Sequence, residues 1–201
     1  MIKLLVTLPK KLYVACSGGV DSMAALDFLS RKHDVTAAFF DHGTIASREA
    51  LTFLDRYCQK NNIKMIDGAV MRSKHKDESN EEYWRDERYK YLDQLDAPVV
   101  TAHHLDDAVE TWVWSSMHGQ PKLPEIYRNN VIRPFLTTPK QELMDWCIKK
   151  NVPWLDDMTN LDTKYMRNYV RHEAMPVVQK INPGIQKTIK KKLLSKLDSV
   201  Y

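Results

Sequence analysis

The chain has 201 residues, 43% hydrophobic and 28% charged, with a net charge of +4. This is an ordinary globular composition with enough length for a sizeable core, and no apolar run approaches a membrane span. The mild positive charge permits a nucleic-acid partner without requiring one.

The N-terminal stretch MIKLLVTLPKKLYVA has short apolar pieces broken by lysines, unlike a secretory signal. Apolar runs predict strands at Leu12–Ala15, Val35–Phe40, Lys64–Ala69 and Pro98–Ala102. Between and after them, periodic segments predict helices over Met23–Arg31, Ser47–Asn61, Glu81–Leu95 and Asp106–His118. This alternation predicts an α/β fold, a doubly wound parallel sheet covered by helices on both faces. Gly119–Asn130, with Pro121 and Pro124, reads as a loop. Thr138 is the expected N-cap of a further helix, with Pro139 at its first position and Gln141 completing a capping box. That helix is expected to end near Asn151, before Pro153. A polar loop from Val152 and two helices complete the chain. The α/β domain is thus placed at 1–135 and a helical C-terminal extension at 136–201. The extension ends in a basic tail, Lys187 to Lys196, with Ile189, Leu193 and Leu194 at helical spacing. Cys16, Cys58 and Cys147 are too few and too scattered for a disulfide framework or a zinc site, so a reducing, cytoplasmic setting is expected.

Two segments carry chemistry. Cys16-Ser17-Gly18-Gly19-Val20-Asp21-Ser22 joins the first strand to the first helix. A glycine turn opening a helix presents free N–H groups and a positive dipole end to an anion. Neither G-x-x-x-x-G-K-[ST] nor G-x-G-x-x-G occurs, which removes the ATPase P-loop and the dinucleotide fingerprint. The second segment, Ala102-His103-His104-Leu105-Asp106-Asp107-Ala108-Val109-Glu110-Thr111, begins where the fourth strand ends. In a sheet of order 3-2-1-4-5 the first and fourth strands flank the topological switch point, so residues 17–22 and 103–110 are expected to share one pocket. Asp107 and Glu110, at i and i+3, share a helix face and could grip Mg²⁺ or a ligand ammonium.

The S-G-G-x-D-S loop resembles the PP-loop of the N-type ATP pyrophosphatases. That resemblance implies ATP cleaved between its α- and β-phosphates, with Ser17, Gly18, Gly19, Val20, Asp21 and Ser22 holding the pyrophosphate part. Asp21 and Asp106 are the Mg²⁺ ligands expected from it. The longer pattern is similar to the tRNA(Ile)-lysidine synthetases. AHHLDDAVET, Asp41-His42-Gly43 after the second strand, and Arg85-Asp86-Glu87-Arg88-Tyr89 all match in order. So do Ile132-Arg133-Pro134-Phe135-Leu136, the segment Pro153-Trp154 to Thr159-Asn160, and Tyr165-Met166-Arg167-Asn168-Tyr169-Val170-Arg171. The match spans roughly residues 11–180.

The resemblance implies a two-step reaction. ATP adenylates the C2 oxygen of the wobble cytidine of an isoleucine tRNA with a CAU anticodon, releasing pyrophosphate. The ε-amine of free lysine then displaces AMP, leaving lysidine. On this reading Asp21, Arg85, Arg88, His104, Asp107 and Glu110 are catalytic, and Asp41 and His42 join the ATP site. Asp107, Glu110, Arg133, Arg167, Asn168 and Arg171 bind lysine or RNA. No membrane is involved, and the oligomeric state is left open.

The pattern departs from the family in four places. Thr44-Ile45-Ala46-Ser47 stands where an arginine usually follows D-H-G, and Trp84 replaces an alanine. The stretch after Gly119 lacks a glycine-rich run, and the usual further C-terminal tRNA-binding domains are not in this sequence. Alternative readings are a tRNA thiolase, a small-molecule PP-loop amidotransferase or synthetase, and an RNA-binding module without activity. The first generally needs catalytic cysteines, often with C-x-x-C, and Cys58 and Cys147 are isolated.

Overall fold

The computed structural model describes residues 1–156 and 166–198, and only the backbone of Arg167. Strands β1 (Lys11–Ala15), β2 (Asp34–Asp41), β3 (Lys64–Ala69), β4 (Val99–Val100), β5 (Tyr127–Arg128) and β6 (Val131–Ile132) form one sheet of order β3-β2-β1-β4-β6-β5. All pairs are parallel except β5 with β6. The expected doubly wound order is therefore present, with β6 as its fifth parallel strand and β5 as an antiparallel edge. The edge comes from a two-residue turn, Asn129-Asn130, in which Asn129 takes a left-handed φ of 49°. Asparagine tolerates that conformation, so the segment read as a plain loop contains a hairpin. Asn130 anchors it by donating to the carbonyls of Leu92, Leu95 and Ala97.

The helices are α1 (Val20–Ser30), α2 (Ile45–Lys60), α3 (Asn80–Asp93), α4 (Leu105–Met117), α5 (Lys140–Lys150), α6 (Met166–Tyr169), α7 (Met175–Ile181) and α8 (Ile185–Asp198). A π-helical turn, Val170–Ala174, joins α6 to α7. Alternation along the strands sorts the core. Leu12, Val14, Ala37 and Val100 pack with residues of α1, α2 and α5, whereas Tyr13, Ala15, Val99 and Val131 pack with Tyr89 and Leu92 of α3. A third cluster joins Leu105, Val109 and Val113 of α4 to Val170, Met175, Ile185, Ile189 and Leu193. The apolar stripe of α8 therefore lies on α4, and α4 is fixed from the C-terminal side. Gly68 on β3 is required by packing, because a Cβ there would collide with the Tyr91 ring.

The start of α5 differs from expectation. Its N-cap is Pro139, without a side-chain cap bond, and the helix begins at Lys140. Thr138 Oγ1 donates instead to Lys3 O at 2.8 Å. The cap comes from another helix: Asp106 Oδ2 accepts Lys140 N–H at 2.8 Å. The helix ends as expected, at a left-handed Asn151 (φ 52°). No helix among the described residues is long and apolar enough to cross a membrane.

Candidate active site

The glycine turn leaves β1 at its C-terminal end and opens α1. Gly18 has φ +87°, a conformation that L side chains rarely adopt, so it makes the turn. Gly19 does not need its glycine for the backbone: its φ is −74°, and a Cβ there would meet only Ser17 Oγ, at 3.6 Å. Ser22 closes the loop from inside. Its hydroxyl donates to Gly19 O at 2.9 Å, accepts Ser17 N–H at 3.2 Å and lies 3.3 Å from Ser17 Oγ. Gly18 O accepts Leu155 N–H at 2.9 Å, which ties the loop to the C-terminal region. No side chain caps α1, so its first amides are left to face the turn.

The second segment arrives beside it, as β1 and β4 are neighbours. His104 caps α4 and is buried. Its backbone N–H donates to Asp107 Oδ2 at 3.0 Å, and its Nδ1 accepts Asp107 N–H at 3.4 Å. Its Nε2 lies 3.5 Å from both Asp21 Oδ2 and Asp107 Oδ2. Burial disfavours charge on this ring, but Asp107, Asp21 and Asp106 outweigh it and raise its pKa above 6.5. Asp21 Oδ1 is buried without a partner. Asp21 and His104, 83 positions apart, thus meet, as the topology predicts.

Asp107 and Glu110 do share a face of α4, and they hold a cation. The guanidinium of Arg171 donates from Nε to Glu110 Oε1 at 2.8 Å. Its Nη2 donates to Glu110 Oε2 at 2.9 Å and to Asp107 Oδ1 at 3.0 Å. Burial opposes the charge on Arg171, and the bond to Glu110 reverses that, so its pKa rises further. Arg171 sits in the π-helical turn Val170–Ala174, a local geometry common at functional sites. Sequence reasoning placed Arg171 among the substrate contacts and gave no sign of this clamp. The Arg167 side chain and Asp157, Thr159, Asn160 and Tyr165 of the same signature lie outside the described residues. Asn168 is buried in α6.

Asp106 faces amides. Beside its cap to Lys140, its Oδ1 accepts Gln186 Nε2 at 2.9 Å, so it links α4 to α5 and α8. Among the described residues no three carboxylate, histidine or cysteine groups form a ready-made metal cluster.

Asp41 and His42 follow β2. Ser47 holds the Asp41 carboxyl below the usual carboxylate range; burial opposes this, and the Gly43 N–H bond at 2.7 Å assists it. His42 is pushed down to about 4 by burial and by Arg88, so it is neutral at pH 7. Its Nδ1 is buried without a partner. Trp84 packs against it, with ring centroids 5.6 Å apart, which is where the departure from alanine is felt.

A cavity of about 530 Å³ has Glu110 on one wall. Its walls include Arg85, Tyr89, His103, Trp114, Arg128 and Arg133. Arg128 and Trp114 were not anticipated; Arg128 stands on the unforeseen hairpin, and no motif marks either residue. Arg88 stacks near the same tyrosine, 5.7 Å from its ring centroid.

A model of the PP-loop domain matches residues 3–178. The chain belongs to the PP-loop family. The family comprises ATP-using enzymes, so the chain is a nucleotide-binding one. The chain is similar to the tRNA(Ile)-lysidine synthase of Thermotoga maritima, 34% identical over 196 residues, which cover 88% of this chain and 47% of that protein. It is 31% identical over 192 residues to the tRNA(Ile)-lysidine synthase of Staphylococcus aureus, covering 84% and 44%. This PP-loop chain spans about half the length of the curated relatives it matches. In fold it is similar to the NH3-dependent NAD synthetase of Campylobacter jejuni, with a TM-score of 0.53 at 13% identity, covering 94% of this chain and 86% of that one.

Proposed function

We propose that this protein ligates lysine to C2 of the wobble cytidine of an isoleucine tRNA with a CAU anticodon, through an adenylated tRNA. The observation that carries the reading is the Asp107–Glu110 pair. It is buried, lies beside the nucleotide loop, and already holds a cationic nitrogen group in the form of Arg171. The same carboxylates suit the ammonium of a lysine substrate once Arg171 yields them.

The loop fits a nucleotide. Gly19 leaves open the space a Cβ would occupy, and the uncapped amides of α1 suit a pyrophosphate leaving group. The neutral Nδ1 of His42 is an unused acceptor at the end of β2, suited to a donor on the base. The unpartnered Asp21 Oδ1 fits Mg²⁺, which is commonly held by one or two carboxylates together with substrate phosphates. When bound there, Mg²⁺ neutralises charge on the phosphates. Asp106 is assigned to positioning, since both its oxygens already accept amides.

In the first step the loop holds the β- and γ-phosphates while the cytidine C2 oxygen bonds to the α-phosphorus and the bond to pyrophosphate breaks. In the second, the lysine nitrogen bonds to C2 and the C2–O bond breaks with AMP as leaving group. The amine must lose a proton to attack. On this reading one of the carboxylates that grip the ammonium, Asp107 or Glu110, takes that proton, and His104 supports Asp107 with its Nε2 at 3.5 Å.

The alternative of thiolation fits less well. All three cysteines are free and buried, and burial pushes Cys58 and Cys147 up to about 12, which leaves them poor nucleophiles. The test is ATP-dependent transfer of labelled lysine into tRNA, read by nucleoside mass spectrometry. Label in a cytidine–lysine adduct is expected.

A further inference from the structure

The cavity beside Glu110 contains an unusual charge. Arg133 is only 5% exposed, yet its bonds go to neutral oxygens: Nη1 donates to Glu125 O at 2.6 Å and Nη2 to Tyr89 Oη at 2.8 Å. A buried cation is ordinarily paired with an anion. Two further guanidiniums, of Arg128 and Arg85, lie 4.2 and 5.2 Å from the centroid of the same tyrosine ring. Neither has an ion-pair partner among the described residues. Burial resists ionisation of Tyr89, and Arg133 more than offsets it, so its phenol pKa falls. The carboxylates on these walls do not neutralise the cluster. Glu110 is taken by Arg171, and Glu81 and Glu125 are exposed. At the mouth stands Trp114, 39% exposed and packed against His118.

We propose that this cavity is a subsite for a phosphodiester and base of the RNA strand, separate from the nucleotide loop. The three arginines take the phosphate and Trp114 offers a stacking face. None of residues 17–22 lines the cavity, so the ATP phosphates have their own cradle. Glu110 is on the wall, so a strand lying here presents its next nucleotide to the lysine carboxylates. The inference rests on the proposed RNA substrate.

The test is fluorescence anisotropy of a labelled anticodon stem-loop RNA with the full chain, across a salt series, beside calorimetric binding of ATP. Arg128→Gln is expected to weaken RNA binding roughly fivefold and to reduce the magnitude of the salt slope by about 0.7, as for one lost single-strand phosphate contact. ATP affinity is expected to stay at the wild-type value. Trp114→Ala, at an exposed position, is the second variant if Arg128→Gln lowers the melting temperature, and it is expected to weaken RNA binding through the lost stacking face. Unchanged RNA affinity and slope in both variants would overturn the subsite. So would a loss confined to ATP, which would give these arginines to the nucleotide, or a wild-type chain that does not bind the RNA. If the variants lose RNA affinity but the wild type transfers no lysine, the subsite stands and the proposed reaction falls.

Discussion

Arg171→Gln removes the guanidinium that bridges Asp107 and Glu110 and leaves two carboxylates on one buried helix face. Three charge-assisted bonds of 2.8–3.0 Å are at stake. Breaking a buried pair by removing one partner costs about 3–5 kcal/mol. Arg171 keeps 26% of its side-chain exposure, and glutamine can retain one bond, so the cost falls below that range, to about 2–3 kcal/mol. For a chain of this length that is a fall in melting temperature of roughly 4–12 °C. A second signature separates this cause from a general packing loss. With the guanidinium gone, two like charges face each other on one buried helix face. The deficit against wild type then shrinks as pH falls and one carboxyl takes a proton. Urea denaturation of both proteins at several pH values reads this. A variant within about 0.5 kcal/mol of wild type at pH 7, or a deficit that does not change with pH, would refute the reasoning.

Glu110→Gln is expected to reduce lysine use at least tenfold while tRNA-dependent pyrophosphate release from ATP stays near wild type, measured as separate half-reactions. Equal loss of both would move Glu110 to the nucleotide. His104 contributes stability that is full below its unfolded pKa near 6.5 and is lost as pH rises through its raised folded value. His104→Asn keeps a capping oxygen and should flatten stability across that window. The difference between the two curves separates His104 from His42, whose pKa near 4 makes stability fall as pH drops below 6.5. Gly68→Ala drives a Cβ into the Tyr91 ring and should cost about 1–3 kcal/mol, read by thermal melting.

The parts legible in the sequence were those with local causes. Periodicity located β3 at both ends, and β1 and β2 to within a residue or so. The glycine loop and the α4 carboxylates could be brought together because strand order follows from alternation and handedness. Tertiary pairings were not legible. The α5 cap is Asp106, 34 residues from Lys140, and nothing near Thr138 signals that its hydroxyl will turn to Lys3 instead. Arg171 lies 61 residues from Glu110, and its motif suggested a substrate contact rather than a clamp. The β5–β6 hairpin did leave a local trace, in Asn129-Asn130 between two-residue strands, but the prolines upstream outweighed it.

The central claim is that the loop at Ser17–Ser22 and the pair at Asp107 and Glu110 serve one ligation on RNA. The most direct measurement is transfer of isotopically labelled lysine to isoleucine tRNA by this chain, with and without ATP, followed by nucleoside mass spectrometry. The account predicts ATP-dependent label in a cytidine–lysine adduct, lost in Glu110→Gln. Folded protein that binds ATP and tRNA yet leaves every cytidine unlabelled would contradict it.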